Sequence, residues 1–283
     1  MTEVSPTDAT ADAVAWREVD VSVHRADDTQ ESVTWGVAVE APVAILLNGD
    51  PWTVMLASPA HLGDLAVGLA LTERVLRDPT AVLGVDVSAY LQDVSVNLLV
   101  QESALDLAAV RARALASSTA CGLCGIESLA QWHQRVGESV PRMAIADAAI
   151  RAAVRALPTH QPLNAHTRSV HAAAWCLPDG TVSLVREDVG RHNALDKLVG
   201  ALALAGRLHE TGFIVMSSRC SYELVYKAVA TNTQLLVTLS APTSLAITWA
   251  RTLALPFACI MADRGEAPSI VHVPMDTANS GIA

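Results

Sequence analysis

The stretch FIVMSSRCSYELVYKAVATNTQLLVTLSAPTSLAITWARTLALPFACIM, residues 213–261, decides the fold. Phe213–Met216, Leu235–Leu239 and Phe257–Met261 are short apolar runs of strand length. Between them, Ser221–Ala230 and Thr243–Leu253 carry helical spacing. Polar turns open both helices: Ser217-Ser-Arg-Cys-Ser221 and Ser240-Ala-Pro-Thr-Ser244. Apolar strands alternating with helices predict an α/β sheet covered on both faces.

The same unit extends outward. His171–Cys176 and Thr181–Val185 read as strands joined by the turn Pro178-Asp-Gly180. Arg186-Glu-Asp-Val-Gly-Arg-His-Asn193 then leads into a helix over Gly190–Ala205, and Ile270–Val273 is a last strand. Upstream, Ala144–Leu157 is expected to be a helix closed by Pro158, and His160–His166 a loop. The first hundred residues read as mainly β. Val19–Val23 and Thr34–Val39 alternate, and Val43–Leu47 and Thr53–Leu56 flank the hairpin signal Asn48-Gly-Asp-Pro51. Val94, Val96 and Leu98 mark a further strand, and Leu62–Leu76 a helix. Arg111–Thr119 is polar and Ala-rich. The expected organisation is a flexible tail over 1–17, a smaller β-rich N-terminal domain over 18–120, a cysteine loop and linker over 121–145, and an α/β domain over 146–283.

The chain has 283 residues, 51% hydrophobic and 17% charged, an ordinary globular composition. A formal net charge of −10 speaks against a broad nucleic-acid footprint, which needs a basic face. The polar, acidic start lacks the basic region and apolar run of a secretory signal. The apolar stretches are interrupted before they reach membrane-spanning length. A cytoplasmic location is therefore expected, and five cysteines, an odd number, do not suggest a disulfide framework.

Strand–turn–helix units put candidate chemistry at the turns. If the strands are parallel, the turns at 186–193, 217–221 and 240–244 and the stretch Ala262-Asp-Arg-Gly265 meet along one rim. Helix N-termini and Arg191, Arg219 and Arg264 would there favour an anion, and a phosphate-bearing ligand is the natural candidate. Helix capping is the competing reading, and it accounts for Thr243 and Ser244 well. His192 reads either as an acid/base group or as a hydrogen-bonding turn residue. His171 is expected to be a satisfied core or rim histidine, Lys197 a solvated helix charge, and Cys176 and Cys259 buried and inert. Cys220 either gains from a helix start or only packs.

Cys121-Gly-Leu-Cys124 stands apart. A structural zinc site needs four ligands, and no second CxxC or HxxxH accompanies the pair. Zinc deaminases place H-x-E before P-C-x-x-C, which this order does not match. A thioredoxin-type pair expects a preceding strand, whereas Ala116–Ala120 reads as a loop. Gly122 and Gly125 let the loop bend and expose both thiols. A helix expected from Ile126 would favour the thiolate. Such a thiolate takes the outer sulfur of a persulfide by the chemistry of thiol–disulfide exchange, and a second thiol then releases or protects it.

ACGLCG at 120–125, HAAAW at 171–175, EDVGRHNALDKLVG at 187–200, SSRCSYELVYKA at 217–228 and APTSLAITWA at 241–250, with ASPAHLGDLAVGLALTE at 57–73, together resemble the formate dehydrogenase accessory sulfurtransferase family, FdhD. The resemblance implies a cytidine-deaminase-like three-layer core without the deaminase zinc, and no permanently bound metal. It implies a sulfurtransferase that takes persulfide sulfur from a cysteine desulfurase. The sulfur goes to the molybdenum cofactor, Mo-bis(molybdopterin guanine dinucleotide), before insertion into formate dehydrogenase. The persulfide position maps to Cys121, with Cys124 as companion. The cofactor-contacting stretch maps to Ile260, Met261, Ala262, Asp263, Arg264 and Gly265, which joins Arg191, His192 and Arg219 as candidate cofactor contacts. Two stretches depart from the family pattern. Thr167-Arg-Ser-Val170 stands where TGG or similar precedes HAA, and Cys259–Arg264 lacks an aromatic and carries Asp263. A non-enzymatic chaperone for the cofactor is the alternative function. A homodimer would give a relay between large partners a symmetric platform.

Overall fold

A computed structural model describes residues 15–90, 93–116, 142–261 and 268–275. Residues 1–14 of the expected tail (1–17), the helix expected from Ile126 and residues 121–141 of the cysteine loop and linker expected over 121–145 lie outside the described residues, and so do 262–267. The architecture is mixed α/β. Strands β1 (Trp16–His24) and β2 (Gln30–Ala38) form an antiparallel ribbon, so Trp16 and Arg17 belong to a strand rather than to the expected tail. Strands β3 (Ala41–Leu47), β4 (Asp50–Ala57), β5 (Val82–Tyr90) and β6 (Asp93–Val100) form a second sheet in the order β4-β3-β6-β5.

The hairpin read from Asn48-Gly-Asp-Pro51 joins β3 to β4. Asn48 and Gly49 both adopt positive φ, 52° and 91°, the geometry a tight hairpin turn requires. Asn48 Oδ1 accepts from Val100 N at 2.8 Å and Asn97 Oδ1 from Gly49 N at 2.9 Å, which ties the turn to β6.

The third sheet has six strands in the order β12-β11-β10-β9-β7-β8. They are β7 (His171–Cys176), β8 (Val182–Asp188), β9 (Gly212–Met216), β10 (Thr233–Thr238), β11 (Phe257–Met261) and β12 (Ser269–Val273). β9, β10 and β11 run parallel. β7 is antiparallel to both β8 and β9, so β8 points the same way as β9, β10 and β11. The period-2 alternation of a strand divides the two faces. Ala173, Trp175, Ile214, Met216, Leu236, Phe257 and Cys259 enter one cluster, and Ala172, Ala174, Phe213, Val215, Val237 and Ala258 the other.

Helices cover both faces of this sheet. α3 (Asp147–Ala156) packs Ile150 and Ala153 into the second cluster. α5 (Arg191–Leu204), α6 (Tyr222–Ala228) and α7 (Ser244–Thr252) pack into the first. Fully burying a side chain such as Leu198 or Ile214 contributes about 1.5–3 kcal/mol. The first cluster does not stop at the six-stranded half. It continues through α1 (Leu62–Thr72) to Val43, Ile45, Val96 and Leu98 of the second sheet, so both halves share one core.

α1 is buried on almost every side, as its nearly unbroken apolar sequence requires. It crosses α5 backbone to backbone. A Cβ on Gly68 would lie 1.7 Å from the Asp196 carbonyl oxygen, and one on Gly200 would lie 1.9 Å from that of Asp64. The helix ends at Thr72, short of the expected Leu76, because Arg74 turns left-handed (φ 57°) and Leu76 bridges to Leu105. The polar stretch near Arg111 belongs to α2 (Leu107–Ala116), whose first N–H groups, of Ala108 and Ala109, both donate to Asp106 Oδ1 at 3.1 Å.

The expected loop at 160–166 is instead a short 3-10 turn over Leu157–His160 followed by helix α4 (Pro162–Thr167). Its N-terminal N–H groups, of Leu163 and Asn164, donate to the carboxylate of Glu187 at 2.9 and 2.8 Å. That acceptor is supplied from another strand, which no local pattern reveals. The β1–β2 ribbon packs here: Trp16 stacks on His166 at 4.2 Å, and Gly36 lies against the His166 carbonyl, where a Cβ would come within 2.4 Å.

Candidate functional site: the rim of the six-stranded sheet

Because β8, β9, β10 and β11 share one direction, their carboxyl ends lie along one edge, as expected if the strands were parallel. The turns that follow are stitched together. Thr243 N donates to Cys220 O at 3.0 Å, Leu239 N to Met216 O at 3.0 Å, and Ala172 N to Ser217 Oγ at 2.8 Å. β7 begins at this edge, with His171 opposite Asp188. Thr243 caps α7 through its hydroxyl, which accepts from Ala246 N at 3.2 Å, so capping accounts for this turn.

Arg191 occupies the first helical position of α5. Its Nε is buried without a hydrogen-bond partner among the described residues. Arg219 is exposed in the turn after β9. His192 lies one residue into α5. Its Nε2 is 2.9 Å from Glu223 Oε2 and 3.2 Å from Ser221 Oγ, so it reaches across to the start of α6. Sequence reading raised His192 but not these two partners, whose link to it exists only across the turn. His171 is half-buried at the rim, as expected. Burial holds its imidazole below the ordinary value, helped by the electrostatic influence of neighbouring Arg191 and His192 and opposed by Asp188. Ile260 is buried at the end of β11, and Met261 beside it is exposed. Ala262, Asp263, Arg264 and Gly265 lie outside the described residues, as do Cys121 and Cys124.

Under the rim lies an ionic lattice. Lys197, expected to be a solvated charge, is fully buried. Its Nζ sits 2.6 Å from Asp188 Oδ2 and donates to Ser58 O at 2.9 Å. The helix face it occupies is the one that packs on the first half, which reverses the sequence expectation. Asp188 also accepts from Ser58 N, Gly190 N and Asn193 Nδ2, at 3.0, 2.8 and 3.0 Å. Burial pushes the Lys197 ammonium below its ordinary value, and Asp188 opposes this.

A second lattice joins Lys227 to Asp196 at 2.9 Å, to Glu73 at 3.0 Å and to Thr72 Oγ1 at 3.0 Å. A third link pairs Arg186 with Asp64 at 2.6 Å. Lys227 of SSRCSYELVYK thus holds Asp196 of EDVGRHNALDK and, across the two halves, Glu73 of ASPAHLGDLAVGLALTE.

The three described thiols, Cys176, Cys220 and Cys259, are free and buried. Burial pushes Cys176 and Cys220 up to about 12 and raises Cys259 as well. For Cys220, the packing alternative is the one the structure takes. Among the described residues, no group of three or more His, Cys, Asp and Glu is arranged to hold a metal, and no helix is long and apolar enough to cross a membrane.

Four co-directional strands, with Arg191 and Arg219 in the turns after β8 and β9, define the class: a mixed α/β protein with a polar strand-end rim. The chain belongs to the FdhD/NarQ family, whose pattern matches residues 38–272. It is similar to the sulfur carrier protein FdhD of Variovorax paradoxus (strain S110), 45% identical over 74% of this chain and 76% of that one. The sulfur carrier protein FdhD of Burkholderia mallei (strain ATCC 23344) is 38% identical over 85% of this chain and 90% of its own length. In fold, the chain resembles a crystal structure from Desulfotalea psychrophila described as a formate dehydrogenase accessory protein. The TM-score is 0.69 at 18% identity, covering 92% of this chain and 98% of that one.

Proposed function

We propose that this protein is a sulfurtransferase for formate dehydrogenase, working in the cytoplasm between a cysteine desulfurase and the molybdenum cofactor. The names of its relatives as sulfur carriers support the sulfur-transfer part of this reading. The observation that carries the cofactor part is Arg191, whose buried Nε has no described partner at a rim that also bears Arg219. An orphaned guanidinium N–H is costly unless a ligand completes it. A pyrophosphate such as that of a guanine dinucleotide would do so, since guanidinium groups match phosphate oxygens. The residues present therefore fit the anionic cofactor as a bound substrate. Arg191, Arg219 and His192 would hold it, with Ile260, Met261 and the stretch Ala262–Gly265. We also read the six-stranded half as a cytidine-deaminase-like core; the mixed sheet with helices on both faces supports this.

The sulfur step falls to Cys121 and Cys124. The Cys121 thiolate attacks the outer sulfur of the donor persulfide. A new S–S bond forms at Cys121, the donor S–S bond breaks, and the donor leaves as a thiolate. Attack by the Cys124 thiolate on the Cys121 sulfur would release hydrosulfide and leave a Cys121–Cys124 disulfide, which an external thiol reduces. Arg142, just after the cysteine segment, is anchored at the opposite edge of the sheet: its Nε donates to Ala254 O at 3.1 Å and its NH1 to Thr233 O. Covalent geometry lets the 18 to 21 residue steps between the two cysteines and Arg142 span up to roughly 60–70 Å, more than the length of a strand. That anchorage therefore does not keep the thiols from the rim.

The deciding experiment is mass spectrometry after incubation with a cysteine desulfurase and cysteine. One added sulfur on Cys121, absent in Cys121→Ala, is expected. Full formate dehydrogenase activation by Cys121→Ala and Cys124→Ala together would leave only a cofactor chaperone.

A further inference from the structure

On the edge away from the rim, a cavity of about 540 Å³ opens between the end of α1, the end of α6 and the turn at 207–209. This is the size of a small-molecule pocket. Leu71, Leu76, Leu208 and Val229 give it apolar walls. Thr72, part of the Lys227–Asp196 lattice, forms part of its polar wall. Arg74 projects from the point where α1 ends. Its Nε donates to Tyr226 Oη at 3.0 Å, and its guanidinium carbon lies 5.6 Å from the Tyr226 ring centroid. That contact orients the guanidinium and leaves both terminal nitrogens without a hydrogen bond or ion pair among the described residues. Arg77 lines the same cavity and meets Asp106 only at 3.4 Å on the surface. His209 also lines the cavity, while Asp78 turns its carboxylate back to Thr80 N at 2.8 Å.

We infer that this cavity binds a small organic oxyanion, a carboxylate or phosphate head on an apolar body, separate from the rim. A guanidinium held through its Nε by a tyrosine hydroxyl, beside the ring, presents its two terminal nitrogens as a planar pair of donors, the arrangement that captures such heads in a bidentate manner. The apolar walls take the body.

The test uses the full chain and calorimetric titration with phenyl phosphate, phenylacetate and neutral benzyl alcohol. Phenyl phosphate or phenylacetate is expected to bind at about 1 mM or tighter, and which of the two is preferred separates a phosphate from a carboxylate source. Benzyl alcohol is expected to bind much more weakly. Arg74→Gly suits the left-handed backbone there, so it removes the side chain without straining the turn. It is expected to weaken binding at least about tenfold. Arg74→Gln supplies the same test should the glycine variant melt lower. Binding of guanosine diphosphate at the rim is expected to be untouched by either change. Failure of both anions to bind at that concentration, benzyl alcohol binding as well as they do, or unchanged affinity in an Arg74 variant would overturn the assignment.

Discussion

Lys197 shows how one residue's surroundings invert its meaning. Its letter, in a helix rich in Ala and Leu, reads as a surface charge, yet Asp188 and Ser58 hold it in the interior. Removing one member of a buried pair leaves the other charge uncompensated. Lys197→Met should therefore cost about 3–5 kcal/mol by urea denaturation. The double change with Asp188→Asn should cost less than the sum of the two singles. Equal additivity would mean that the pair is not coupled.

Glu187 gives a pH dependence. Burial holds its carboxyl above the ordinary glutamate value, against the Asn164 and Leu163 N–H donors. A carboxyl with a raised folded-state pKa binds more protons folded than unfolded. Its contribution is fully present below the unfolded value near about 4.3 and is lost as pH rises through the folded one. The stability of the parent relative to Glu187→Gln should therefore fall as pH rises above about 4. A flat difference would contradict this. The thiols offer a simpler check. With Cys176 and Cys220 pushed up to about 12, iodoacetamide should leave both unmodified in the native protein and reach them only after denaturation.

At the scale of elements, the α1–α5 crossing depends on two glycines rather than on large side chains. Gly68 and Gly200 permit an approach in which any Cβ would collide with backbone, and backbone cannot yield as a flexible side chain does. Gly68→Ala or Gly200→Ala should cost about 3 kcal/mol, read as a shift in the urea midpoint. Little or no loss would mean that the helices can separate freely.

Much at this scale was legible in the sequence. The strands at 213–216 and 257–261, the Asn48-Gly49 hairpin and the helix over 191–204 follow from period and turn chemistry. Where α1 ends, and that 162–167 is helical, was not legible. The first depends on a left-handed residue that is not glycine, and the second on Glu187 from another strand. Three helix ends, at Arg74, Arg168 and Ala254, use such a residue, so the usual glycine stop signal is missing.

For the whole molecule, the shared core and the two ion pairs between halves, Lys227–Glu73 and Arg186–Asp64, favour a single cooperative unit. Fluorescence of Trp52 in the first half and Trp175 in the second, each isolated by replacing the other tryptophans with Phe, should report the same urea midpoint. Separate midpoints would show that the halves unfold independently.

The sequence by itself determined the mixed α/β class, the strand–turn–helix order, the rim turns bearing Arg191, His192 and Arg219, and the family signatures. These are local or periodic properties, carried by neighbours a few residues apart. Only the tertiary structure decided the shared direction of β8 to β11, the burial of Lys197, the reach of His192 to Glu223, and the crossing at Gly68 and Gly200. Each of these joins residues far apart in the chain, and the desolvation that sets their energies exists only once the halves have packed.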